Sequence, residues 1–202
     1  MRKSFIRRLF VGLFSTGAVL AAPVGVFATE SSYTDFNIKK CRHIPGKEVE
    51  DYGEWHCKGL QGIAVYMSAG DQRIYVSYGK NVKDAKNEIA ASQTLASFNG
   101  EGNRIEWRLD RGKPFATIMR WSTTRTNDKG DPVRGTVLVV TRFETGGVCH
   151  VGYVDGNANK NANVLARRIA DERARNFVCG KDKAIVLGEQ GPGFSGPYGS
   201  EK

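Results

Sequence analysis

Each of the three histidines stands within two residues of a cysteine: His43 near Cys41, His56 beside Cys57 and His150 beside Cys149. Thiolates and imidazoles are ordinary zinc ligands, so a metal site is the first chemistry these pairs suggest. The spacing argues against it. No CxxC or HxxxH pair occurs, and in an oxidising compartment the thiols are expected as disulfides. For the same reason no cysteine is expected to remain as a nucleophile, and neither a GxSxG elbow nor an HExxH helix is present. A hydrolase assembled from residues distant in sequence stays open, because triads are recognised by geometry and not by position.

Oxygen ligands recur at Asp155, Asn157, Asn159 and Asn161, every second residue, as in the first half of a calcium loop. The pattern then fails. Lys160 occupies the glycine position and Ala166 the position of the bidentate glutamate. A turn and helix cap accounts better for the asparagines. Glu48, Glu50, Asp51 and Glu54 lie close in sequence without apolar surroundings that would raise a carboxyl for acid or base work, so a solvated loop is expected. Arg104, Arg108, Arg120, Arg125 and Arg134, near Trp107, Trp121 and Tyr75, suggest a basic, aromatic surface for an anionic partner. Strand alternation sends both tryptophans inward, and arginine on an outer strand face is ordinary. The candidate surface or site residues are therefore His56, His150, Arg104, Arg108 and Arg120. No residue is assigned to catalysis, to a cofactor or to a metal.

These residues need a scaffold, and the chain opens with an address. MRKSFIRR, an apolar run and Val26-Phe27-Ala28 read as an export signal over residues 1–28. The run is broken by Pro23 and Gly25 and is shorter than the roughly 20 residues that span a bilayer. No later stretch replaces it, so no transmembrane segment is expected after cleavage. Removing Arg2, Lys3, Arg7 and Arg8 with the leader leaves +5 of the formal +9. That excess draws a protein toward anionic envelope components without specifying nucleic acid. Four cysteines in an exported chain read as two disulfides with three possible pairings, of which Cys41 with Cys57 and Cys149 with Cys179 are expected.

The second pairing follows from lengths. Cys149 to Asp155 reads as a strand of roughly 20 Å, and Asn161 to Phe177 as a helix of roughly 24 Å. A helix folded back over its strand returns Cys179 to Cys149. On that helix, Arg167 with Asp171, Arg168 with Glu172 and Asp171 with Arg175 are four apart and are expected to pair along a solvated face. Upstream, Gly62–Ser68 and Gln72–Tyr78 flank Ala69-Gly70-Asp71 as a hairpin, with Ile63, Val65 and Met67 facing Ile74, Val76 and Tyr78. Val82 to Phe98 shows near-helical spacing. Arg104 to Leu109 alternates, with Ile105, Trp107 and Leu109 inward and Arg104, Glu106 and Arg108 outward. Phe115–Arg125 and Val133–Phe143 flank the turn NDKGDP, and Val148–Val154 follows, so that four strands form a meander, antiparallel throughout. Lys183–Leu187 is a possible last strand. Residues 188–202 are Gly- and Pro-rich and are expected to be disordered.

The segments CKGLQGIAVYMSAGDQRIYVSYG, IEWRL, PFATIMRW and CHVGYVDGNANKNANVLARRIADERARNFVC resemble a family of small secreted alphaproteobacterial proteins to which no activity is attached. The resemblance spans about Cys41 to Leu187 and implies a periplasmic address, but no catalytic residue, cofactor or ligand. The expected architecture is one α+β domain over residues 29–187, a mostly antiparallel meander with a C-terminal helix on one face. The expected function is a periplasmic or secreted binding or envelope-associated protein, non-enzymatic, whose partner the residues do not name; an anionic envelope component and another periplasmic protein are the candidates, and nucleic acid is not expected. A hydrolase with dispersed catalytic residues and a binder of anionic envelope components are the alternatives.

Overall fold

The computed structural model describes residues 29–46, 52–144 and 147–198. Residues 1–28, expected to be an export signal, and Glu48, Glu50 and Asp51 lie outside the described residues. The chain forms an α+β structure with two sheets in place of the single meander expected. The larger sheet runs β1 (Glu30–Asp35), β7 (Arg104–Asp110), β8 (Lys113–Thr126), β9 (Pro132–Glu144), β10 (Gly147–Asp155) and β11 (Ile185–Val186). A short β6 (Phe98–Gly100) pairs with β8 at Ser122–Thr124, past the stretch that β7 occupies. The smaller sheet runs β2 (Arg42–Pro45), β3 (Gly53–Lys58), β4 (Ala64–Gly70) and β5 (Arg73–Gly79).

The expected succession β7, β8, β9 and β10 is present and antiparallel. β11 lies parallel to β10, so the larger sheet is not antiparallel throughout. The hairpin of β4 and β5 sets Val65 opposite Tyr78 and Met67 opposite Val76, the expected matching face. Its turn is Asp71-Gln72, both residues at positive φ.

Alternation along the strands divides the interior into two clusters. Val65, Met67, Val76 and Tyr78 of the smaller sheet pack against Ile105, Trp107, Met119, Trp121, Val137 and Val139 of the larger one. On the other face of the larger sheet, Ile118, Leu138, Val140 and Val151 pack beneath α2 (Ala162–Arg173) through Ala162, Ala166, Ile169 and Ala170. That i, i+4, i+7, i+8 stripe is the apolar face of a helix. The larger sheet is thus a middle layer buried on both sides, which is why β9 reads Val137-Leu138-Val139-Val140 without polar interruption.

The helix expected over Val82–Phe98 is one short helix, α1 (Val82–Asn87), followed by a 3-10 turn at Ile89–Ser92. Tertiary partners break it. Glu88 is extended, with its carboxylate accepting from the Val148 amide at 2.8 Å, and Gln93 Oε1 accepts from the His150 amide at 2.7 Å. Both disulfides form as expected, Cys41–Cys57 and Cys149–Cys179. Among the described residues no helix is long and apolar enough to cross a membrane.

Residues 188–198, expected to be disordered, pack instead. Phe194 is buried in the inter-sheet core, and the Gly193 carbonyl accepts from Thr123 Oγ1 at 3.0 Å. The asparagine-rich turn holds this segment. Asp155 Oδ2 accepts from the Gly191 amide, while Asn159 donates to the Glu189 carbonyl and accepts from its amide. Asp155 Oδ1 also accepts from the amides of Asn157 and Ala158, a turn role as expected. Asn161 occupies the helix cap position without a side-chain capping bond.

Candidate functional site

The candidate residues separate into three environments. His150 sits inside the inter-sheet core, its Nδ1 2.9 Å from the Tyr153 hydroxyl and its ring edge-on to Trp121. A bulge between His150 and Gly152 makes this possible, because it shifts the register so that residues three apart share a face. Burial pushes the His150 pKa down to about 3, so the ring is neutral. It is a core residue.

His56 lies on the outer face of the smaller sheet, with Nε2 3.5 Å from Glu54. Glu54 also takes the Lys86 ammonium at 2.6 Å and the Tyr52 hydroxyl at 3.0 Å. Burial pushes the Glu54 carboxyl up, but the hydrogen bonds from Lys86, Tyr52 and His56 outweigh it and hold the group below its ordinary range.

Arg108 was expected to point to solvent and does not. Its guanidinium is buried beneath α2 and forks onto Asp171, Nε to Oδ1 at 2.9 Å and Nη2 to Oδ2 at 2.7 Å. Glu106 is buried on the same face and receives Arg167 at 2.6 Å. Arg175 approaches Asp110. Of the three charge pairs expected along the helix, only Arg168–Glu172 is present among the described residues. The others are replaced by pairs to β7, since a helix lying over charged strand residues offers shorter, less hydrated partners than its own surface.

Arg104 and Arg120 do come together. With Arg167 they line a cavity of about 370 Å³ whose floor is Ile118 and Leu138 and whose walls include Tyr33, Gly102, Asn103, Glu106 and Asn163. Arg104 lies over the Tyr33 ring and 3.9 Å from the exposed Asp35. Arg167 also reaches the Tyr33 hydroxyl at 3.1 Å, and its hydrogen bond to Glu106 raises the guanidinium further above its ordinary range. Arg120 donates to Asn163 Oδ1, in the first turn of α2, at 3.0 Å, and has no carboxylate partner among the described residues. Two glycines shape the site. A Cβ at Gly156 would stand 2.4 Å from Arg120 Nη1, and one at Gly102 would stand 2.2 Å from the Arg120 carbonyl. The first leaves room for the guanidinium beside Leu138 and Thr136, and the second lets the chain at residue 102 pass close against the backbone of β8.

Three guanidiniums against the single enclosed carboxylate of Glu106 leave the cavity cationic over an apolar floor. Arginine forks match carboxylate and phosphate oxygens in pairs, and the exposed Arg104 and Arg120 leave theirs accessible to a ligand. Sequence reasoning found Arg104 and Arg120 but missed Tyr33, Glu106, Asn163 and Arg167 as partners. The available signal was the basic face of the C-terminal helix, which belongs over the same outer strand face. Among the described residues no three His, Cys, Asp or Glu side chains converge as metal ligands.

Compared with known protein families, curated proteins and solved structures, the chain matches none.

Proposed function

We propose that this chain is a non-enzymatic binding protein of the cell envelope, periplasmic or secreted, that takes an anionic group in the Arg104–Arg120–Arg167 cavity. The observation that carries the reading is the convergence of three arginines on one cavity with one carboxylate among them. The export signal read at residues 1–28 and the two disulfides support the address. Titration of the purified oxidised protein with inorganic phosphate at low salt tests it. Saturable binding that weakens as salt rises and falls in Arg120→Gln is expected, and absence of binding at low salt overturns the reading.

The hydrolase alternative draws on His56 beside the Glu54 carboxylate and the Tyr52 hydroxyl. Those groups satisfy one another and Lys86, and none of them lines the arginine cavity. Ester hydrolysis that is lost in His56→Ala would favour the alternative.

A further inference from the structure

We propose that the arginine cavity is one end of a longer platform that binds an acidic oligosaccharide; this rests on the anionic reading of the cavity. α2 begins over the row Arg120–Leu138 and runs toward Cys179, so the part of the sheet beyond its N-terminal end stays open. Opposed residues of antiparallel strands share a face, and alternation carries that face onward from Arg120 along β8. The next row is Gly100, Ser122 and Thr136, and the one after it is Phe98, Thr124 and Arg134. Phe98, Ser122, Thr124 and Arg134 are exposed, and Thr136 is half-buried.

The platform extends about 13 Å from Arg120 to Thr124, four residues at about 3.3 Å each. A guanidinium stands at each end, Arg120 and Arg134, and neither has a carboxylate partner among the described residues. None of the row residues is acidic. Hydroxyls fill the space between them, and those of Thr124 and Thr136 have no hydrogen-bond partner among the described residues. Phe98 offers an exposed ring at the far end of the platform, backed by the Arg73 guanidinium 5.4 Å from its centroid, which lies equally close to the exposed Tyr198 ring. A shallow hollow lined by Phe98, Asn99, Gly100, Ser122 and Thr124 continues the surface.

This composition selects among anionic ligands. A single-stranded nucleic acid calls for successive free aromatic faces on which bases stack, whereas Tyr33 in the cavity has Arg104 over its ring and Phe98 stands at the far end of the platform. An extended peptide calls for a free sheet edge, yet β8 is hydrogen-bonded on both sides, to β6 and to β9, and the three-residue edge strand β6 already gives its Asn99 amide to the Gln72 carbonyl. A sugar chain needs hydroxyl partners, one flat apolar surface for the CH face of a ring, and cations for its acidic groups. All three lie in line with the cavity.

The test titrates the oxidised protein with a heparin-derived tetrasaccharide, a neutral maltotetraose, inorganic phosphate and a single-stranded DNA oligomer of matched charge. The tetrasaccharide is expected to bind about tenfold or more tighter than phosphate, because linked groups engage the two ends together. Phe98→Ala and Arg134→Gln, both at exposed positions outside the cavity, are expected to remove that gain and leave phosphate binding unchanged. A tetrasaccharide that binds no tighter than phosphate, or that ignores both substitutions, overturns the platform while the cavity reading stands. Tighter binding of the DNA or of maltotetraose overturns it as well. Tetrasaccharide binding that depends on Phe98 and Arg134 without any phosphate binding refutes the cavity reading and, with it, a platform that begins at the cavity. If neither ligand binds, both proposals fall.

Discussion

The Arg108 guanidinium grips both oxygens of Asp171, at 2.9 and 2.7 Å, and so fastens α2 to β7 by charge, as the Arg167–Glu106 pair also does, while Ala162, Ala166, Ile169 and Ala170 fasten the apolar face of the helix. Thr29 and Ser31 of the first strand region add hydroxyls to the same guanidinium, so the pair also ties down the N-terminal edge of the sheet. Removing one partner of a buried pair leaves the other charge stranded. Asp171→Ala is expected to cost about 2 to 4 kcal/mol in urea denaturation, and the double replacement Arg108→Met with Asp171→Leu is expected to cost less than either single change. Additive losses would show that the pair is not coupled.

His150 makes stability depend on pH in one direction. Its folded pKa of about 3 lies below the ordinary 6.5, so above that value neither folded nor unfolded chain binds the proton. As pH falls below 6.5 the unfolded chain takes up a proton that the folded core refuses, and stability declines by about 1.4 kcal/mol per pH unit until about pH 3. Between pH 7 and pH 5 the wild type is expected to lose about 2 kcal/mol more stability in denaturation than His150→Leu does. Parallel curves would contradict a neutral buried imidazole.

Replacing Cys149 and Cys179 together by alanine is expected to cost about 3 to 4 kcal/mol, and Cys41 with Cys57 about 3 kcal/mol, on the loop-closure account. Thermal or urea unfolding measures the loss, and peptide mapping without reduction should recover both links. Free thiols in the exported protein would remove this support for its address.

Gly156→Ala separates binding from folding. The added carbon meets the far end of a flexible side chain, Arg120 Nη1, at 2.4 Å, and the Leu138 and Thr136 methyls at 3.1 Å, so the guanidinium must move while those two side chains give by a few tenths of an ångström and no backbone atom is among the three nearest contacts. Phosphate affinity is expected to fall by about tenfold, the worth of a hydrogen bond to a charged group, with the unfolding midpoint nearly unchanged. Unaltered affinity would place the anion away from Arg120.

Local patterns carried much of the fold. Period-two alternation found β4, β5 and β7 to β10, turn residues found both hairpins, and the lengths of strand and helix found the Cys149–Cys179 link. What alternation cannot say is whether an outer face meets water or another layer. Arg108 and Glu106 have the sequence of exposed residues and are buried, because Asp171 and Arg167 arrive from 63 and 61 positions away. Glu88 and Gln93 ended a predicted helix for the same reason, their partners being backbone amides of β10. Of the site, the strand arginines were legible and the helix residues facing them were not, since only the packing of α2 across the sheet brings Asn163 to Arg120.

The packed segment after β11 has a consequence for resistance to proteolysis. Residues 189–198 complete contacts at Thr94, Thr123, Asp155 and Asn159, positions made well before them. Phe194 closes one end of the inter-sheet core. A chain ending before residue 189 would lack Phe194 and these contacts, and is expected to be cut faster in limited proteolysis than the full chain.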